Sequence, residues 1–117
     1  MWAMTALEFA ELARLLSAEL RRLGHAAPSF RSPPRAPGLY RSLGRLSDGT
    51  VQVSVRLRER TSLAVAADMI DGALIAASLA GREASAVRDA LWRTVDSLVI
   101  GGRTRTDRPP TMRVVAA

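Results

Sequence analysis

The stretch "LSDGTVQVSVRLRER" at residues 46–60 constrains the fold more than any other part of this sequence. Asp48-Gly49 is a frequent turn signal between two strands. After it, apolar and polar side chains alternate strictly, which is typical of a β-strand with one buried face. The apolar positions are Val51, Val53, Val55 and Leu57. The sequence therefore predicts an antiparallel β-hairpin over residues 39–58.

The register of this hairpin depends on the length of its loop. A two-residue loop formed by Asp48 and Gly49 places Leu46 opposite Val51, on the apolar face. A loop one residue longer would put Arg45 opposite Val51, on the face that should be buried. Because a one-residue slip moves every side chain of a strand to the other side of the sheet, we predict the two-residue loop.

In that register the second face of the hairpin carries arginines and leucines. Arg41 lies opposite Arg56, and like charges that face each other across a strand pair are destabilising. We therefore expect solvent, an acidic side chain of the same chain or an anionic partner to compensate. The candidate interaction residues are Leu39, Arg41, Leu43, Arg45, Arg56 and Arg58. The candidate intramolecular counter-charges are Asp68 and Asp71.

Three stretches have the periodicity and the end signals of helices. Thr5 and Glu8 have the spacing of a capping box, and Gly24 is a typical residue just beyond a helix end. The alanine-rich second stretch is apolar on nearly every side, so we expect it to form the buried central helix. The predicted helices span residues 5–23, 62–80 and 82–99.

The central helix carries two further signals. Asp68 and Asp71 lie near its middle, where two carboxylates would be costly in lipid, so we reject a membrane-spanning role. Gly72 is unfavourable inside a helix by about 1 kcal/mol relative to alanine. We expect a close packing contact at Gly72 to compensate for this cost.

The remaining segments are a connector and a tail. Four prolines make residues 25–37 an extended connector, with Phe30 as its only large apolar residue. Residues 103–117 are a basic tail, and the β-branched residues within 111–117 could add a short third strand. We therefore predict a single small α+β domain over residues 1–102, in the order α-β-β-α-α, with the hairpin packed on the helices.

Composition excludes several classes of chemistry. The chain has 117 residues, no cysteine and one histidine, which argues against disulfides, thiolate nucleophiles and multi-histidine metal sites. We expect a cytoplasmic protein without a secretory signal. Its net charge is +6, and all 17 basic residues are arginine, as is typical of a high-GC bacterium. No residue pattern indicates catalysis, a cofactor, a metal or a small-molecule substrate.

Two functions agree with these features. The first is a non-enzymatic protein-interaction module that docks through the leucine–arginine face, either as a homodimer or with an acidic protein partner. The second is nucleic-acid binding, in which the hairpin enters a groove and the basic tail contacts the backbone. No zinc-finger, ribonucleoprotein or basic-zipper motif accompanies the charge.

Overall fold

Helices and a small sheet make up the part of the chain that the computed structural model describes, residues 3–33 and 40–101. The predicted α+β class is confirmed, but the order contains one strand more than predicted. The tail and the predicted strand at 111–117 lie outside the described residues. In chain order the elements are α1 (Ala6–Arg22), β1 (Ser29–Arg31), β2 (Arg41–Arg45), β3 (Val51–Val55), α2 (Ser62–Ala76) and α3 (Gly81–Gly101).

Helix α1 begins with the predicted capping box. The Thr5 backbone N–H donates to Glu8 Oε1 at 2.9 Å, and the Glu8 backbone N–H donates to Thr5 Oγ1 at 3.1 Å. These two bonds satisfy amide groups that would otherwise lack a partner in the first turn. The buried side chains of α1 follow at helical spacing and are Phe9, Leu12, Leu16 and Leu20.

One core joins the helices to the sheet. Helix α1 packs on α3, α3 also contacts α2, and α2 lies across β3 and β2. The largest fully buried side chains of α2 are Met69 and Ile70, and Leu91 is the corresponding one on α3. The prediction that the second helix is central is consistent with this arrangement. No helix among the described residues is long and apolar enough to cross a membrane.

The additional strand comes from the proline-containing connector. Strand β1 pairs in parallel with β3, with Phe30 beside Val53, and the resulting order in the mixed sheet is β1-β3-β2. Phe30 packs against the core, as the sequence predicted. The sequence predicts an extended connector here and indicates no strand within it. Its pairing partner lies far along the chain, so local sequence carries little information about it.

The predicted hairpin register is wrong by one residue. Arg45 pairs with Val51, Leu43 with Val53 and Arg41 with Val55. These side chains therefore share the face that α2 covers. The arginines are tolerated there because β2 is the outer strand of the sheet among the described residues, so a long side chain can reach solvent or an acidic group on α2.

The hydrogen bonds and backbone angles of the loop explain why the observed register differs from the predicted one. The Leu46 N–H donates to the Thr50 carbonyl at 2.8 Å, and the Gly49 N–H donates to the Leu46 carbonyl at 2.9 Å. Gly49 has φ +91°, whereas Asp48 has a negative φ, so the type I′ turn of a two-residue loop is absent. The loop instead holds three residues, with glycine in the left-handed position. Asp48 Oδ1 stabilises it by accepting the Thr50 N–H at 2.9 Å.

Candidate interaction surface

The corrected register divides the predicted interaction residues between the two faces of the hairpin. Arg41, Leu43 and Arg45 lie on the side of α2. Arg56, whose N–H bonds to the Tyr40 carbonyl at 2.9 Å, lies on the opposite side, so the predicted opposition of Arg41 and Arg56 is wrong. Arg58 follows the strand and is 81% exposed. Leu39 lies outside the described residues.

Arg41 contacts both of the acidic residues that were proposed as counter-charges. Its Nη1 lies 3.7 Å from Asp68 Oδ1 and 4.0 Å from Asp71 Oδ2. Asp71 Oδ1 also lies 3.9 Å from Arg88 Nε on α3. The charge of Arg41 is thus compensated within the chain, and its side chain lies between the sheet edge and α2.

Arg60, which the sequence did not single out, joins the end of the hairpin to α2. Its side chain is only 11% exposed and forms an ion pair with Asp68. Its Nη1 donates to the Arg56 carbonyl at 3.2 Å, and its Nη2 donates to the Ala64 carbonyl at 3.4 Å. Its Cζ also lies 4.6 Å from the centre of the Tyr40 ring, which is a cation–π distance. These contacts give Arg60 a structural role.

Exposed apolar side chains occur on both elements that meet here, β2 and α2. Leu43 is 38% exposed and Ile75 is 54% exposed. Ile75 lies one helical turn beyond Asp71, on the side of α2 where Asp68 and Asp71 reach Arg41. Leu43 lies on β2, on the face of the sheet that α2 covers, so both exposed apolar side chains belong to this part of the molecule.

Arg45 differs from Arg41 in the partners of its guanidinium group. Among residues 3–33 and 40–101, no carboxylate forms an ion pair with it. Its Nη1 donates to the Gly49 carbonyl at 3.0 Å, which holds the side chain along the hairpin. We call Leu43, Arg45 and Ile75 together the β2 surface.

The backbone of β2 is also unpaired on one side within the described chain, since β2 ends the strand order. The bonds at the two ends of the hairpin join Tyr40 with Arg56 and Leu46 with Thr50. In an antiparallel pair, alternate residues direct both N–H and C=O toward the partner strand. The even-numbered residues of β2 therefore face β3. The residues whose backbone groups face outward are Arg41, Leu43 and Arg45.

The face of the sheet away from α2 is polar. Arg56 Nη2 lies 3.3 Å from Glu59 Oε1, and Arg58 Nε lies 3.8 Å from the same atom. Arg31 at the end of β1 is exposed. Its other strand positions are small or polar, namely Ser29, Ser42, Gly44, Gln52 and Ser54, and exposed Tyr40 and Leu46 flank β2 on this face.

Metal-ligating side chains do not converge in the described part of the chain. No group of three or more His, Cys, Asp or Glu residues there could hold an ion. His25 Nε2 lies 3.8 Å from Glu83 Oε2, which is a contact between one histidine and one carboxylate.

Comparison with known proteins returned no relative. No protein-family model, no curated protein and no solved structure matches this chain.

Proposed function

We propose that this protein is a non-enzymatic protein-interaction module that binds an acidic segment of a partner protein through the β2 surface. The observation that carries the proposal is the position of Arg45, which forms no ion pair with a carboxylate among residues 3–33 and 40–101, next to exposed Leu43 on β2, with exposed Ile75 on the helix that covers the same face. Exposed apolar side chains next to arginine are typical of interfaces between proteins.

The chemistry of the β2 surface favours an acidic partner. The guanidinium of Arg45 can donate two parallel hydrogen bonds to one carboxylate. Leu43 and Ile75 provide apolar area that binding would remove from water. The net charge of +6 would also accelerate the approach of an acidic partner at low ionic strength.

A second copy of the same chain fits this surface less well. If two β2 strands paired antiparallel about Leu43, each Arg41 would face Arg45 of the other copy. Like charges directly opposite each other destabilise a strand pair. We therefore place the acidic partner ahead of the homodimer, and we expect a single-chain mass by sedimentation velocity.

Nucleic-acid binding is the second candidate function. It is favoured by the polar sheet face, where exposed Arg31 and Arg58 flank small side chains. Such arginines could contact phosphates without reading sequence. The only aromatic ring described at this face, that of Tyr40, is already engaged by Arg60 and Arg56, which leaves no free ring for base stacking.

Selection from a library of short random peptides displayed on phage tests the first function. We expect the wild-type chain to select peptides rich in Asp and Glu. Their binding should weaken at least about tenfold, or about 1.4 kcal/mol, on the combined variant Leu43→Ser, Arg45→Glu and Ile75→Ser. Arg58→Glu is the matched control, because it reverses an exposed arginine outside the β2 surface. Selection of peptides without acidic residues, or equal binding to the combined variant, would contradict the proposal.

The nucleic-acid alternative has its own measurement. Fluorescence anisotropy with labelled duplex DNA and single-stranded RNA would be recorded from about 50 to about 500 mM salt. Salt-sensitive binding that Arg31→Glu and Arg58→Glu abolish, and that the β2-surface variant leaves intact, would establish the second function in place of the first. We expect no such binding.

A further inference from the structure

We propose that the acidic partner segment binds as an additional antiparallel β-strand along the outer edge of β2, an inference that rests on the proposed function. The outward N–H and C=O groups of Arg41, Leu43 and Arg45 offer a partner strand three donors and three acceptors. β2 is exposed along most of its length, so the edge is accessible. Strand addition of this kind takes affinity from the backbone and specificity from alternate side chains.

The arginine side chains of β2 determine which kind of partner strand can pair with it. Charged side chains on an edge strand are a common protection against pairing between identical chains. In β2, Arg41 and Arg45 flank Leu43 on the same face, so a second copy would bring arginines opposite each other, whereas an acidic strand would bring a carboxylate opposite Arg45. The charges of β2 therefore favour pairing with a strand of opposite charge over pairing with a second copy of β2.

The three positions of the edge make different demands on the partner. The residue opposite Arg45 is acidic, because Arg45 has no counter-charge among the described residues. The residue opposite Leu43 is apolar, because it would contact the exposed part of the Leu43 side chain. The residue opposite Arg41 is unrestricted, because Asp68 and Asp71 already compensate that arginine.

The antiparallel direction of the partner strand fixes the order in which these residues occur in its sequence. In an antiparallel pairing the partner meets Arg45 first, then Leu43, then Arg41. The partner therefore carries an acidic residue, any residue and then an apolar residue, read from N- to C-terminus. The probe that represents this pattern is acetyl-Thr-Glu-Thr-Val-Thr-Ser-Thr-amide. Its matched control carries Lys in place of Glu.

Amide hydrogen exchange of the isotope-labelled full chain reports the pairing directly. On addition of the probe, we expect slower exchange at the outward amides of Arg41, Leu43 and Arg45. The amides of Ser42 and Gly44 should change little, because they already bond to β3. Uniform protection along β2, or protection only at other elements, would overturn strand addition.

N-methylation of the probe separates backbone pairing from charge attraction. The valine N–H of an antiparallel strand points toward β2, so its methylation should weaken binding by at least about tenfold through a lost bond and a steric block. The N–H of the following threonine points away, so its methylation should change affinity less than about threefold. If only the probe methylated at the following threonine lost affinity, the strand would be parallel, and the antiparallel proposal would be overturned.

Reversing the charge at position 45, together with the charge of the probe, tests the role of Arg45. The variant Arg45→Glu should lose affinity for the Glu probe and gain affinity for the Lys probe, whereas Arg58→Glu should leave the preference unchanged. Acidic peptides could bind at the β2 surface without any change in affinity on N-methylation and without alternating protection of the β2 amides. In that case strand addition is wrong and the proposed function stands. If no acidic peptide from the library or the probe binds, both are wrong.

Discussion

Gly72 of α2 lies directly against the side chain of Val53 in β3. A Cβ placed on Gly72 would stand 2.6 Å from Val53 Cγ1 and 3.3 Å from Cγ2. The first distance is shorter than any normal carbon contact, and valine has little freedom to rotate away. Glycine at this position therefore lets the central helix approach the central strand, and it brings the backbone of α2 close enough for Asp68 and Asp71 to reach Arg41.

The variant Gly72→Ala should lower the free energy of unfolding. Overpacking costs about 1 to 3 kcal/mol, and the gain in helix propensity returns no more than about 1 kcal/mol. We expect a net loss of about 1 to 2 kcal/mol in urea unfolding. The matched control is Gly44→Ala, because a Cβ on Gly44 meets nothing within 4 Å. Equal stability of the two variants would contradict the close contact.

The loop conformation predicts a different response at Gly49. With φ at +91°, an alanine there would place its Cβ in an unfavourable position. We expect Gly49→Ala to destabilise the protein by about 1 to 2 kcal/mol. Gly49→Asn should cost less, because asparagine tolerates the left-handed region better. Thermal unfolding of both variants checks this ranking, and the reverse ranking would argue against the three-residue loop.

Asp48 should make the hairpin sensitive to acid. Its carboxylate accepts the Thr50 backbone N–H, which holds the pKa of Asp48 below its ordinary value. A depressed folded-state pKa means that ionised Asp48 adds stability above the unfolded pKa, and that this stability is lost as pH falls through the folded pKa. Urea unfolding across that acidic range should therefore show a steeper decline for the wild type than for Asp48→Asn. Parallel curves would contradict the role of the charge.

Arg60 should matter far more for stability than its exposed neighbour. Arg60→Met removes the ion pair to Asp68 and the hydrogen bonds to three carbonyls, and we expect a loss of about 2 to 3 kcal/mol. Arg58→Met is the control, because an arginine that is 81% exposed should contribute less than about 0.5 kcal/mol. Chemical denaturation of both variants measures the difference. Similar losses would show that Arg60 is not the main link between hairpin and helix.

Local signals predicted the elements that depend on local chemistry. The Thr5–Glu8 capping box and the periodicity of the helices are interactions between residues one turn apart, so sequence spacing is sufficient to find them. The cost of glycine inside a helix pointed correctly to a contact at Gly72, although only the fold identified Val53 as the residue it meets.

The candidate surface could be predicted only in part. Leu43 and Arg45 were singled out from the sequence, but the side of the sheet they occupy depended on a loop whose two alternatives both suit Asp48-Gly49. Ile75 was not found, because a single apolar residue in an apolar helix gives no sign of exposure.

The sequence by itself determined an α+β domain with a basic hairpin, because alternation, helical periodicity and capping are encoded within a few neighbouring residues. Only the tertiary structure decided the register of the hairpin, the pairing of β1 with β3 and the contact of Arg41 with Asp68 and Asp71. These features join residues far apart in the chain, and their free energy exists only once α2 has packed on the sheet. The position of β2 at the end of the strand order, within the described residues, has the same origin, because it depends on which strands pair in the folded sheet.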